Sequence, residues 1–149
     1  MRSEIERDRE VFRIEDSVTT RIDARAVLER IRDPATWPSW QAEILSAAGP
    51  SPIGEGDVVR GRAQMLGFAV DGHSTVVGAD GSSFEQDVIV GVRMRVQITV
   101  EQTEDGSVIR HSLTSRLPGG VWGRVLAFFL KRRFRVMQRL LLERLATPG

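Results

Sequence analysis

The amino-acid sequence predicts an α+β fold in which one long helix covers a single antiparallel sheet. After about residue 42, runs of alternating apolar and polar residues are separated by glycines and Asp-Gly pairs, as is typical of strands joined by tight turns. After Pro118-Gly-Gly120, an apolar stripe recurs every three or four residues up to about Leu145, a spacing typical of a helix. A helix of about 25 residues is roughly 37 Å long, which is enough to cross a seven-stranded sheet.

The first part of the chain predicts one strand and two helical segments. Apolar and polar residues alternate over residues 11–20, which predicts a half-buried strand. Asp23 is a good N-cap for a helix over about residues 24–32. Residues 33–40 contain a second helix start, and Pro38 keeps that helix short. Residues 1–10 are mostly charged, and we expect them to be flexible.

Six further strands are predicted after the helical segments. A weak one spans about residues 43–48, and five with clear alternation cover residues 57–65, 68–79, 82–90, 92–103 and 107–117. Successive strands joined by short turns favour an antiparallel meander with one buried face. The sequence contains no internal repeat or interdomain linker, so we expect residues 1–149 to form a single domain.

The composition excludes several kinds of functional site. The chain has no cysteine, which excludes disulfides, thiolate zinc sites, iron–sulfur clusters and cysteine nucleophiles. Only His73 and His111 are present, and no metal or nucleotide motif occurs, so we expect no metal and no other cofactor. The longest apolar run is six residues and the N-terminus lacks an apolar segment. We therefore expect a cytoplasmic protein without a signal peptide or a transmembrane helix.

The last helix is predicted to carry a basic surface. Between Lys131 and Arg144 six basic residues stand against Glu143 alone, a local charge of +5 in a chain whose net charge is +1. Such a cluster is usually a solvated helix face, although it also attracts anions and acidic membranes. Val121, Val125 and Phe128 lie next to the cluster and away from the apolar stripe, as in helices that lie on membrane surfaces. A dimer contact or a second packing surface would explain these three residues equally well.

The sequence resembles the START/Bet v 1-like (SRPBCC) superfamily and, within it, the polyketide cyclase/dehydrase and lipid-transport-like group. The resemblance rests on Ile22-Asp-Ala24, on Asp33-Pro-Ala-Thr-Trp-Pro-Ser-Trp40, on Ile53-Gly-Glu-Gly-Asp57 and on the closing helix. It spans about residues 11–145 and implies a helix-grip fold. In that fold a seven-stranded curved antiparallel sheet is wrapped around the long C-terminal helix, with two short helices between strands 1 and 2. A deep pocket for an apolar molecule is expected between sheet and helix.

The buried faces of the predicted elements supply an apolar, partly aromatic lining for such a pocket. The later strands contribute residues of one parity, and the tryptophan-rich segment and the last helix contribute large side chains. We expect the ligand to contact Trp37, Trp40, Phe84, Gln86, Val88, Met94, Val96, Ile109, Leu113, Trp122, Phe129 and Met137. The alternative is that these side chains only fill the core.

Three polar residues on the predicted buried faces are candidates for catalysis: His111, Asp16 and Arg133. Because the resemblance implies that the first and last strands pair, Asp16 would lie near His111, hold its tautomer and raise its pKa, as suits a general acid or base. Arg133 falls inside the apolar arc of the last helix, where its guanidinium would bind a carboxylate or an oxyanion. The alternatives are a structural Asp–His pair and an arginine whose charged head reaches solvent.

Three functions are compatible with the sequence. The first is a binding module that holds a lipid-like or aromatic, polyketide-like molecule in the cavity. The second, implied by the resemblance, is a polyketide cyclase, aromatase or dehydratase that uses an acid–base residue there. The third is a peripheral membrane or partner-binding protein that uses the basic helix. We prefer the first because it needs only the pocket, and we expect a monomer or a homodimer that binds no nucleic acid.

Overall fold

A seven-stranded antiparallel sheet and a long C-terminal helix make up the protein. The structure, a computed structural model, describes residues 9–65, 67–118 and 121–148, without the side chains of residues 9–11, 65, 116–118, 122 and 123. The first elements are β1 (Arg9–Thr20), α1 (Ala24–Ile31), a 3₁₀ turn (Pro34–Thr36) and α2 (Trp37–Trp40). They are followed by β2 (Ile44–Ala48), β3 (Val58–Met65), β4 (Phe68–Ala79), β5 (Ser83–Val90), β6 (Val92–Gln102), β7 (Ser107–Pro118) and α3 (Val121–Leu145).

The strand order is β1-β7-β6-β5-β4-β3-β2, and all neighbouring strands are antiparallel. β1 therefore returns to pair with β7, and Asp16 lies opposite His111 in the register. The predicted α+β fold, a seven-stranded sheet with two short helices and one long helix, is confirmed. β1 begins at Arg9, two residues before its predicted start, and residues 1–8 of the segment expected to be flexible lie outside the described residues.

Side-chain caps at Asp23 and Asp33 start α1 and the 3₁₀ turn, and α2 after them carries two buried tryptophans. Asp23 accepts a hydrogen bond from the backbone N–H of Ala26, at 2.8 Å, as the predicted N-cap of α1. Trp37 Nε1 donates to the Ile31 carbonyl at 2.9 Å, and Trp40 Nε1 donates to Thr36 Oγ1 at 3.1 Å. With their polar edges satisfied, both rings are buried, 6.3 Å apart and edge to face.

Helix α3 packs on β1, β7 and α2 through one face. Its C-terminal end is tied to the sheet and to α1: Thr20 Oγ1 donates to the Ala146 carbonyl at 2.6 Å, and Arg30 Nη1 donates to the Leu145 carbonyl at 3.2 Å. Its first turns are different, because Phe128 and Phe129 are 64% and 61% exposed. No helix in the described part of the chain has the length and the hydrophobicity that crossing a bilayer requires.

Candidate functional site

An apolar cavity of about 110 Å³ lies between the inner face of the sheet and α3. Eight of the predicted ligand contacts line it, namely Trp37, Trp40, Gln86, Val88, Met94, Val96, Leu113 and Met137. Their role in ligand binding stays a prediction. Most of the wall is apolar, and it passes from fully buried Trp40 and Ile98 to half-buried Gln41 and Glu43 beside β2.

Small residues on the inner face of β2, β3 and β4 leave this space empty. The lining there includes Ala47, Gly61, Ala63, Gly72 and Ser74. Gly61 also permits the close approach of β2, because a Cβ at this position would lie 2.1 Å from the Ser46 carbonyl oxygen. A sheet that presents so few side-chain atoms on one side cannot fill the gap to α3.

Three of the other four predicted ligand contacts have described side chains, and these three do not line the cavity. Phe84 and Ile109 are fully buried in the filled part of the core, where large side chains from neighbouring strands pack against one another. Phe129 is turned about 140° around the helix from buried Phe134 and is exposed, so its predicted inward position is wrong, while its contact with a ligand stays a prediction. The side chain of Trp122 lies outside the described residues.

Gln138 of α3, rather than Asp16, holds the imidazole of buried His111. Gln138 Nε2 lies 2.8 Å from His111 Nδ1 and also donates to the carbonyls of His111 and Ile14, at 3.1 and 3.3 Å. The two carbonyls require the amide nitrogen, not the amide oxygen, at this position. With a donor facing Nδ1, this arrangement favours the neutral tautomer of His111 that carries its proton on Nε2.

The environment of His111 disfavours the imidazolium cation. Burial lowers the pKa of His111 from 6.5 to about 4, and the charge of Asp16 opposes this shift only in part. Protonation would also place an N–H group at Nδ1 against the amide N–H groups of Gln138. The prediction of a raised pKa is therefore wrong, and His111 is neutral at pH 7.

Asp16 and Arg133 lie away from the cavity. The Asp16 carboxylate accepts from the backbone N–H of Ser17 at 2.8 Å and pairs with Arg139 at 3.4 Å, and among the described residues it makes no hydrogen bond to His111. Arg133 is exposed on α3 and is not part of the lining, in agreement with an arginine whose head reaches solvent. A catalytic role for Asp16, His111 and Arg133 stays a prediction, and only His111 has the position that such a role needs.

Glu43 is a cavity residue that the sequence analysis missed. It lies between α2 and β2, and burial raises the pKa of its carboxyl group, with partial opposition from a backbone hydrogen bond and from the charges of Arg133 and Arg144. No ion pair to Glu43 occurs within the described parts of the chain. Alternation could not identify it, because the inward parity is undefined at a junction between helix and strand.

Three buried polar atoms of the lining have no hydrogen-bond partner: Gln41 Nε2, Ser74 Oγ and Gln86 Oε1, the complete set for the described side chains. The inward positions of Ser74 and Gln86 follow from the strand alternation. Gln41 follows α2 directly and, like Glu43, lies at a junction. Together they place a donor, an acceptor and a hydroxyl group on an otherwise apolar wall.

Solved structures with the same fold include a protein of a biosynthetic pathway and a START superfamily protein. Half of the di-domain ARO/CYC StfQ from the steffimycin biosynthetic pathway matches with a TM-score of 0.75 and 16% identity, over 97% of this chain and 52% of that one. Ara h 8.0201 matches with a TM-score of 0.63 and 14% identity, over 91% and 98% of the two chains. A START superfamily protein from Mycobacterium smegmatis matches with a TM-score of 0.70 and 12% identity, over 89% and 96%.

The sequence itself matches a family model. None of the curated proteins matches this chain. The model described as "Polyketide cyclase / dehydrase and lipid transport" matches residues 11–148. That range contains every strand and helix of the described fold except the first two residues of β1. The chain therefore belongs to the polyketide cyclase/dehydrase and lipid transport family.

Proposed function

We propose that the protein binds an apolar small molecule, lipid-like or aromatic, in the cavity between the sheet and α3. The observation that carries this proposal is an apolar cavity whose wall holds two tryptophan rings and a few separate polar atoms. Small-molecule sites in proteins have this composition, because the apolar wall supplies affinity and the polar atoms fix orientation. The family description, which includes lipid transport, supports the same function.

The size of the cavity limits what it holds without adjustment. A cavity of roughly 150 Å³ binds benzene, so a volume of about 110 Å³ is slightly small for one aromatic ring. Met94 and Met137 line the cavity, and unbranched methionine side chains turn aside more easily than branched ones. A one-ring ligand requires a small shift of these side chains. A larger ligand also requires α3 or β2 to move.

Native mass spectrometry of protein purified under mild conditions tests the proposed function. We expect a population heavier than the chain by the mass of one small molecule, which denaturation releases into an organic extract. Titration with m-xylene supplies a second measurement if the protein is isolated empty. Isolation of empty protein together with the absence of saturable m-xylene binding would contradict the proposal.

A second candidate function is that of a cyclase or dehydratase, and Glu43 is the observation that favours it. A carboxyl group whose pKa burial raises is suited to exchanging a proton with a bound ligand. His111 is less suited, because with a pKa of about 4 it is a weak base at pH 7. We expect Glu43→Gln to abolish turnover of a polyketone without a change in affinity. Undiminished turnover would exclude this role.

The exposed start of α3 would suit contact with an anionic membrane. Val121, Phe128 and Phe129 are exposed there, and Lys131 and Arg132 follow them on the same helix. We expect the double variant Phe128→Ser, Phe129→Ser to reduce co-sedimentation with vesicles that contain phosphatidylserine. Equal sedimentation of the variant and the wild type, or indifference to phosphatidylserine, would contradict a membrane role.

A further inference from the structure

The unpartnered polar atoms of the cavity are an unusual feature of a buried wall. Ser74 is 4% and Gln86 is 5% exposed, and Gln41 Nε2 is buried too. A buried donor or acceptor without a partner destabilises the folded protein, so the large majority of such groups in native proteins are paired. Since all three line one cavity, a molecule that enters it can supply their missing partners.

These atoms surround the space from two sides. Ser74 on β4 lies opposite Val88, and Gln86 on β5 lies opposite Val76, so Ser74 and Gln86 are diagonal neighbours on the inner face of the sheet. Gln41 directly follows α2, where its backbone N–H caps the helix by donating to the Trp37 carbonyl at 2.8 Å. A ligand between them would receive a hydrogen bond from the Gln41 amide, donate one to the Gln86 carbonyl, and exchange either kind with the Ser74 hydroxyl.

The charges of the cavity lining disfavour an anionic ligand group beside Ser74 and Gln86. His111 is neutral at pH 7, and Arg133, whose position in the sequence suggested an anion site, is exposed outside the lining. Arg62 belongs to the lining, but it is exposed and its side chain pairs with Asp71. A carboxylate or phosphate here would be buried without a cation, which is far more costly than burial of a neutral oxygen.

We propose that Gln41, Ser74 and Gln86 form a neutral hydrogen-bonding subsite that selects an uncharged aromatic ligand with hydroxyl or carbonyl groups. This inference rests on the proposed function, since it names the class of ligand that the same cavity takes. The apolar wall binds the ring, and the three polar side chains bind its oxygen atoms.

Two probes of nearly equal shape test the subsite. Resorcinol carries two hydroxyl groups where m-xylene carries two methyl groups, and the affinity of each is measured by NMR titration for the wild type and for Gln86→Leu. Because leucine cannot accept a hydrogen bond, we expect the ratio of the resorcinol to the m-xylene dissociation constant to rise by about tenfold or more in the variant. Benzoate, the anionic one-ring probe, is expected not to bind the wild type.

The matched control is Gln97→Leu, because Gln97 is exposed and opposite in parity to the inward residues of β6. We expect the control to leave both dissociation constants unchanged. If both probes bind the wild type and Gln86→Leu leaves their ratio unchanged, the subsite is wrong and the proposed binding function stands. If neither probe binds, the subsite is wrong, and the proposed function is wrong as well if the protein is isolated empty. Benzoate binding tighter than resorcinol binding would overturn the neutral character of the subsite.

The stability of the ligand-free variant separates a binding role from a structural one. Removal of an unpartnered polar group in favour of an apolar group of similar size is neutral or stabilising. We therefore expect the midpoint of urea unfolding for Gln86→Leu to equal or exceed that of the wild type, and the same for Ser74→Ala. A lower midpoint for both variants would show that these groups stabilise the fold through internal hydrogen bonds, and would overturn the subsite.

Discussion

Replacement of Val88 by tryptophan is expected to abolish ligand binding in a protein that still folds. Val88 lies on the inner face of β5, opposite Ser74 on β4 and Met94 on β6, and it lines the cavity. An indole ring in place of an isopropyl group would occupy most of a volume of about 110 Å³. We expect the affinity for m-xylene, measured by NMR titration, to fall by at least about a hundredfold. A hundredfold loss of affinity corresponds to about 2.8 kcal/mol of binding free energy.

The neighbouring residue supplies the control for this substitution. Ile89 follows Val88 on the same strand, but it faces outward and is 37% exposed. Ile89→Trp adds the same ring to the outer face, where we expect no effect on affinity. Overpacking at Val88 costs about 1–3 kcal/mol, which a protein with a typical stability of about 5–15 kcal/mol tolerates. Wild-type affinity in folded Val88→Trp would show that ligands bind elsewhere.

The stability of the protein is expected to fall as the pH is lowered from about 6.5 to about 4 because His111 is buried as a neutral ring. Burial lowers the pKa of His111 from 6.5 in the unfolded chain to about 4 in the folded protein. Between these values the unfolded chain binds more protons, so acid favours unfolding. The loss in the free energy of unfolding from this residue reaches about 3 kcal/mol at the acid end of the window.

Urea unfolding at a series of pH values measures this effect in wild type, His111→Gln and His73→Gln. The raised pKa of Glu43 has the opposite sign, since its contribution is lost as the pH rises through the folded-state value, but it is common to all three proteins. We expect His111→Gln to be less stable than the wild type at pH 7 and to lose less stability on acidification. His73 is exposed, and His73→Gln should behave like the wild type. If the free energy of unfolding depends on pH in the same way for His111→Gln and the wild type, His111 is not a buried neutral ring in the folded protein.

The sequence was sufficient for the fold because its signals are local and repeated. Alternation over residues 92–103 and Asp-Gly turns define strands without knowledge of their partners. Asp23 marks the start of α1, because its side chain accepts a hydrogen bond from the backbone only three residues later. The family resemblance added the pairing of β1 with β7. Alternation also placed His111 and Gln86 on the inner face of the sheet.

The errors at the site arise where contacts between distant residues decide the outcome. Register brings Asp16 opposite His111, but Gln138 from α3 fills the space beside the imidazole, and the carboxylate pairs with Arg139. The apolar stripe predicted an inward Phe129, whereas the packing of α3 is rotated towards Phe134 and leaves Phe129 exposed. Neither outcome is encoded in the spacing of residues along one element.

Sequence patterns also could not predict the volume of the cavity between the sheet and α3. It depends on small residues in β2, β3 and β4, including Gly61, Ala63 and Gly72, facing a helix that is far away in the chain. The same small residues would be unremarkable in a sheet that packed closely on its helix. Gln41 and Glu43 were missed because they lie between elements, where no periodicity applies.

An NMR measurement of where a ligand binds tests the central claim most directly. With methyl-labelled protein and m-xylene, we expect saturable shift changes and intermolecular contacts at cavity residues such as Val88, Met94, Leu113 and Leu141. Methyl groups of the exposed start of α3, such as Val121, should not respond. Contacts confined to that exposed surface, with the methyl groups of the cavity unchanged at saturation, would contradict a binding site between sheet and helix.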